Sequence, residues 1–129
     1  MHFAVMTASL EETGKAIIDY PAILTKANES LDLLCKTPGQ APGLSLCVWE
    51  RNVHGHREII VVNNSAIQNE GQASAEGISS NIAGFEAGKC SVNIRALKIT
   101  HFGPWSCTLV TQSGLTFTAT VRVIDGNYK

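Results

Sequence analysis

The sequence has little of what catalysis, nucleic-acid binding or membrane insertion requires. It contains no Gly-x-Ser-x-Gly elbow and no glycine-rich phosphate loop, and no acid–base pair can be placed beside its many serines. No Cys-x-x-Cys pair occurs, which argues against a zinc ribbon or a thioredoxin-type redox site. No apolar run approaches the ~20 residues of a membrane span. The apolar stretch Phe3–Met6 is far shorter than the core of a signal peptide, which needs about 7–15 residues. Charge is scarce too: 16% of residues are charged, and 10 basic against 11 acidic residues leave a net charge of −1. Without a Lys/Arg stripe, a nucleic-acid surface has no electrostatic support.

What is present suits one globular domain. The chain has 129 residues, 44% of them apolar, enough for a real core but too few for two. Its four cysteines point to two disulfides and an oxidising compartment, against the alternative of four reduced, buried thiols. Extracellular targeting would need a signal or anchor that these residues do not hold, so the reading expects it to lie outside them.

The densest information lies in residues 90–107, CSVNIRALKITHFGPWSC. Cys90, Val92 and Ile94 alternate onto one face, and Leu97, Gly103, Trp105 and Cys107 follow. This predicts two strands joined by a corner, each anchored by a cysteine. Residues 1–21 carry only weak signals, among them a capping-box match at Ser9–Glu12, and are read as a partly ordered arm. The domain is expected to occupy 22–129.

Along that span, residues 22–37 predict an edge strand, a polar turn at Lys26–Ser30 and a second strand with Leu31, Leu33 and Cys35 on one face. Residues 38–43 hold two prolines and two glycines and read as a loop. Residues 44–51 predict a strand with Cys47 and Trp49 inward and Val48 and Glu50 outward, and Glu58–Val62 predicts another. Residues 63–88 are poor in large apolar side chains, so one or two short irregular strands within a mobile excursion are expected. Gln112-Ser113-Gly114 reads as a hairpin turn. The closing run LTFTATVRVI alternates Leu115, Phe117, Ala119, Val121 and Val123 against Thr116, Thr118, Thr120 and Arg122.

This series of short strands around Cys35, Trp49 and Cys107 resembles the immunoglobulin superfamily, most closely a variable-type domain. Trp49 stands 14 residues after Cys35, and Leu97, Gly103, Trp105 and Cys107 match the family's run from strand E through the E–F corner into strand F. The resemblance covers about residues 22–124. It implies an all-β, two-sheet antiparallel Greek-key sandwich with Trp49, Leu97 and Trp105 in the core. It also implies a bridge from Cys35 to Cys107, which leaves Cys47 with Cys90. Strand parity supports that second pair, since both cysteines face inward from opposite sheets. Two positions depart from the pattern: His101 stands where the family has Asp, and Trp105 where it has Tyr. The usual ion pair and the hydroxyl that closes the tyrosine corner are thereby lost, with the indole N–H as an alternative donor. The glycine-rich strand-G motif of antigen receptors is also missing.

The resemblance implies a recognition module: an extracellular receptor or adhesion domain binding a protein or glycan, with no catalytic residue and no cofactor. The alternative is a freestanding secreted binder, inhibitor or immune effector. Val48 and Val110 turn outward on neighbouring strands, so Val48, Glu50, Thr108 and Val110, with Ile60 and Val62 from the next strand, form the candidate partner surface, through which a homodimer is also possible. Asn28 and Asn63 begin N-glycosylation sequons. His54 and His56, with Glu50 and Glu58 nearby, could be read as a metal site, but a polar turn between two strands is the favoured reading, and no metal is assigned.

Overall fold

The structure, a computed structural model, describes residues 13–39, 43–62, 67–70 and 77–126. Among the described residues there are ten strands: β1 (Thr13–Lys15), β2 (Ala22–Thr25), β3 (Leu31–Lys36), β4 (Leu44–Val53), β5 (His56–Val62), β6 (Ile67–Glu70), β7 (Ile78–Asn81), β8 (Lys89–Ile94), β9 (Gly103–Thr111) and β10 (Thr116–Asp125). Two short 3₁₀ turns, Ile82–Ala87 and Ile99–His101, join β7 to β8 and β8 to β9.

These strands form the two-sheet sandwich that the alternation predicts. The larger sheet runs β1-β10-β9-β4-β5-β6, with β2 also pairing β10, and the smaller runs β3-β8-β7. Antiparallel pairing dominates, while β1 and β2 both lie parallel to β10. Residues alternate between faces along a strand, so each sheet turns one apolar face inward. From β4 these are Cys47 and Trp49, from β9 Trp105, Cys107 and Leu109, and from β8 Cys90, Val92 and Ile94, all at most 1% exposed. Leu97, 1% exposed, belongs to the same core as Trp49 and Trp105.

Two disulfides cross between the sheets. Cys35 on β3 is bonded to Cys107 on β9, and Cys47 on β4 to Cys90 on β8. The two bridges are neighbours, because Cys35 and Cys90 stand opposite each other in the β3–β8 register.

The N-terminal segment read as an arm is paired backbone from Thr13 onward. Thr13–Lys15 lie beside Thr116–Thr118, Ile17 forms a single bridge with Lys36 of β3, and Ala22–Thr25 return to β10 beside Arg122–Asp125. The segment thus laces the open edge between the two sheets. Within the 63–88 excursion, β6 extends the large sheet and β7 the small one, and buried Ile78 and Phe85 fasten it to the core. Gly88, at φ 77°, approaches Thr37 so closely that a Cβ would lie 2.2 Å from its Oγ1. Only glycine suits both the backbone angle and the space.

Candidate functional site

The outer face of the large sheet carries the candidate surface. The turn at His54–Gly55 decides what lies on it. Both residues adopt positive φ, 52° and 83°, as a two-residue hairpin loop between twisted strands requires. Val53 then pairs His56, and the ladder sets Glu50 opposite Ile59, Val48 opposite Val61 and Trp49 opposite Ile60. Cross-strand partners share a face. Ile59 and Val61 therefore join Val48 and Glu50 outside, while Ile60 and Val62 join Trp49 and Cys47 inside.

This corrects the surface expected from the sequence at two positions. Ile60 is 1% and Val62 0% exposed, so both are core residues and neither can meet a partner. On β9 the expected residues do face outward: Thr108 stands opposite Val48, and Val110 opposite Leu46. Leu46, which the sequence reading passed over, joins the face because a register shift between Leu44 and Leu46 lets Leu44 turn into the core and Leu46 turn out.

The result is a band of half-buried aliphatic side chains, Leu46, Val48, Ile59, Val61 and Val110, across the middle of three strands. On one side it grades into hydroxyls: Thr116, Thr118 and Thr120 of β10 stand opposite Val110, Thr108 and Ser106. At the other end an exposed ion pair, Arg57 Nε to Glu50 Oε1 at 3.1 Å, forms a charged border. An apolar centre without charge, framed by polar groups, is the composition of a protein-binding patch.

Beneath the same sheet, the end of the sandwich near the His54–Gly55 turn holds a polar cluster where the family's ion pair and tyrosine corner are missing. Arg51 is 8% exposed and points inward, directly opposite Glu58 in the ladder. Its Nη2 lies 2.8 Å from Glu58 Oε1, and its Nε donates to the same oxygen at 3.0 Å. Nη1 donates to the carbonyl of Thr100, and the guanidinium lies 4.9 Å from the Trp105 ring centroid. The Trp105 indole N–H donates to the His101 carbonyl at 2.8 Å. The indole thus closes the corner with its N–H in place of a phenol hydroxyl.

His101 is itself 5% exposed, and its Nδ1 accepts the Lys98 backbone N–H at 2.8 Å. That bond needs the neutral ring with its proton on Nε2. Burial, then the positive charges of Arg51 and Lys98, push the imidazole pKa from 6.5 down to about 4, with Glu58 opposing. Burial also lowers the pKa of the Arg51 guanidinium, against the pull of Glu58.

The four groups of the alternative metal reading do not converge. Glu50 faces out and pairs Arg57, whereas Glu58 faces in and pairs Arg51, and both histidines are exposed in or beside the turn. Among the described residues, no three metal-ligating side chains cluster. Asn28 occupies an exposed turn at φ 74°, whose backbone N–H donates to the Leu97 carbonyl at 2.8 Å. Asn63 lies outside the described residues.

No protein-family model matches the sequence, and no curated protein is similar to it in sequence. Solved structures are similar in fold. The swine CD8αα homodimer matches with a TM-score of 0.66 at 12% identity, over 84% of this chain and 96% of that one. Murine CRIg matches at 0.62 and 13% identity, over 87% and 98%. The extracellular portion of mouse CD200RLa matches at 0.61 and 18% identity, over 82% of this chain and 55% of that one. With the two intersheet bridges, the parallel β2–β10 pairing and the β5–β6 extension, the chain has the variable-type immunoglobulin fold.

Proposed function

We propose that the protein is an extracellular recognition module that binds a protein partner through the outer face of β10, β9, β4 and β5. The observation that carries this reading is the aliphatic band of Leu46, Val48, Ile59, Val61 and Val110. Five aliphatic side chains on the solvent side of adjacent strands are more than the scattered apolar residues any surface shows. The matching side of the smaller sheet presents Asp32, Ser79, Ser91 and Asn93 around one aliphatic side chain, Leu34, with the Asn93 amide donating to Asp32 at 2.8 Å. The outer face of the smaller sheet is therefore the more polar of the two, and that of the larger is the one suited to being covered. The two disulfides favour an oxidising, extracellular setting. The module needs no catalytic group for this role. It needs a rigid frame and a complementary patch.

A second copy of the chain is one partner that fits, since a two-fold axis through the band would set apolar residues on apolar residues. The similarity to a homodimeric structure is in keeping with it. Sedimentation equilibrium over a wide concentration range tests self-association. Tetramerised protein applied to cells displaying membrane proteins tests a different partner. In both assays Val48→Asp and Val61→Asp should abolish the interaction, while Lys89→Glu on the other sheet should leave it intact. Binding that survives both aspartates would overturn the assignment of the face.

A further inference from the structure

The N-terminal segment guards only one end of the edge of β3. Ile17 and Lys36 exchange backbone hydrogen bonds at 2.8 and 3.0 Å, and the chain then leaves β3 to reach β10 at Ala22. That exchange fixes which way the rest of β3 points. In an antiparallel ladder, alternate residues turn their N–H and C=O groups to opposite sides. Lys36 turns away from β8, so Leu34 and Asp32 do the same, while Leu31, Leu33 and Cys35 bond to β8. The backbone groups of Asp32 and Leu34 therefore face an edge that no strand among the described residues covers. Two devices that usually close such an edge are missing: Leu31–Lys36 holds no proline, and its register with β8 runs without a bulge. Beside the same stretch lies a cavity of about 260 Å³. Its lining includes Leu33, 1% exposed, and Val121, 3% exposed, with Ile18 and Ile23 as further apolar walls.

We propose that β3 docks an extended segment of a partner protein, a loop or tail that adds to the sheet antiparallel at Asp32–Leu34 and places one aliphatic side chain in the cavity. Two observations meet at this place. The N–H and C=O groups of Asp32 and Leu34 match the backbone of an extended peptide, which can form four ladder bonds with them. Cross-strand partners share a face, so the residue set opposite Leu33 turns inward with it, between the sheets, where the cavity lies. A leucine-sized side chain there exchanges water for aliphatic walls. Other occupants use less of the site. A small apolar molecule would fill the cavity and leave the edge groups to water. A second copy offering its own β3 would bring Leu33 and Cys35 as inward residues, and these are already buried in its own core at 1% and 0% exposure. A segment outside any folded sheet has both its backbone edge and its side chain to give.

The test is an amide chemical-shift titration of the folded, isotope-labelled protein with the capped peptide Ac-Thr-Ser-Thr-Leu-Thr-Ser-Thr-NH2. Saturable shifts are expected at residues 31–36 and at the cavity residues 18, 23 and 121. At saturation the Asp32 and Leu34 amides should exchange with solvent at least about tenfold more slowly. Serine in place of the central leucine should weaken binding at least about tenfold. N-methylation of the two threonines that flank the leucine removes donors aimed at β3 and should abolish binding. N-methylation of the leucine itself, whose N–H points away from β3, should change affinity by less than about threefold. On the protein side, Leu34→Pro removes the N–H at the open edge and no bond to β8, so it should keep the fold, checked by melting temperature, and lose the peptide. The methylated peptides make the same test on the unaltered protein. Equal binding of the leucine and serine peptides, equal binding of the two kinds of methylated peptide, shifts centred elsewhere, or no saturation up to about 10 mM would overturn the proposal. A peptide-free dimer that Leu34→Pro dissolves would overturn it too, by giving the edge to a second copy. None of these outcomes depends on the outer face of the large sheet, so the two readings fail separately.

Discussion

The indole N–H of Trp105 donates to the backbone carbonyl of His101 at 2.8 Å, and this bond turns the chain from the 3₁₀ turn Ile99–His101 into β9. Both residues are buried, at 1% and 5% exposure, so neither group can turn to water if the other is lost. Trp105→Phe removes the donor, strands the carbonyl and shrinks the ring. A loss of about 2–4 kcal/mol is expected by denaturant unfolding, combining an unsatisfied buried acceptor with lost packing. Trp105→Tyr restores a donor and should cost less than Phe. A Phe variant as stable as the Tyr variant would remove the corner bond from the account.

The ion pair beside that corner should be strongly asymmetric in its response to mutation. Arg51 and Glu58 have side chains 6% and 12% exposed, and they touch at 2.8 Å. Glu58→Gln leaves the buried guanidinium without its counter-charge and should cost about 3–5 kcal/mol. The double replacement Arg51→Met/Glu58→Leu should cost less than that single change, because it removes both charges together. The exposed pair serves as a control. Glu50→Gln, facing Arg57 across 3.1 Å at the surface, should shift stability by less than about 1 kcal/mol.

His101 makes stability depend on pH in a particular direction. Its ring is held neutral by burial and by Arg51 and Lys98, with Glu58 as the one opposing charge, and its pKa falls from 6.5 to about 4. Between those values the unfolded chain binds more protons than the folded one. Stability that is fully present above pH 6.5 is therefore lost as the pH falls toward 4. At 1.36 kcal/mol per unit the loss comes to about 3 kcal/mol. His101→Asn keeps an acceptor for the Lys98 N–H but does not titrate, so its unfolding curves at pH 7 and pH 4.5 should differ less than those of the wild type. Equal pH dependence in both proteins would show that other groups carry it.

The parts of this molecule that the sequence makes legible are those set by local parity. Cys47 and Trp49 alternate against Val48 and Glu50, and the structure keeps that alternation. The strand Glu58–Val62 is apolar at every position from Ile59 to Val62, so alternation alone cannot say which pair faces out. That choice is made by the His54–Gly55 turn, whose two-residue length fixes the register and sends Ile59 and Val61 outward. Gly55, at φ 83°, carries that information in the turn and not in the strand. Leu46 was hidden by the register shift after Leu44, which a single strand's pattern does not reveal. The cavity at the edge was out of reach for a different reason. Its lining comes from residues 18–20, 23, 32–34 and 121, which only the crossing of the N-terminal segment brings together.

Asn28 is the position where we expect an N-linked glycan if the chain passes through a eukaryotic secretory pathway. The sequon Asn28-Glu29-Ser30 lies in an exposed turn, and the turn is pinned by bonds from Asn28 to Leu97 and from Leu97 to Glu29. It sits off the proposed binding face, so a glycan there leaves the aliphatic band open. Secreted protein should lose mass on treatment with a peptide N-glycosidase, and Asn28→Gln should abolish the part of that loss that comes from this site. Secreted wild-type protein with unmodified Asn28 would remove the site.

The bridging pattern has a sharper test, because the register puts cysteines of different bridges face to face. Cys35 and Cys90 are direct cross-strand partners on β3 and β8, yet each is bonded to the opposite sheet, Cys35 to Cys107 and Cys90 to Cys47. Joining the partners within the small sheet would leave the two sheets without a covalent tie. Non-reducing peptide mapping should therefore give only the 35–107 and 47–90 linkages. The 47–90 bridge spans 43 residues, and closing a loop of that length stabilises the fold by about 4 kcal/mol in the chain-entropy model. Replacing both Cys47 and Cys90 with alanine should lower the unfolding free energy by about that amount while Cys35–Cys107 still forms. A mapped 35–90 linkage, or a double alanine variant as stable as the wild type, would contradict the account of how these sheets are held.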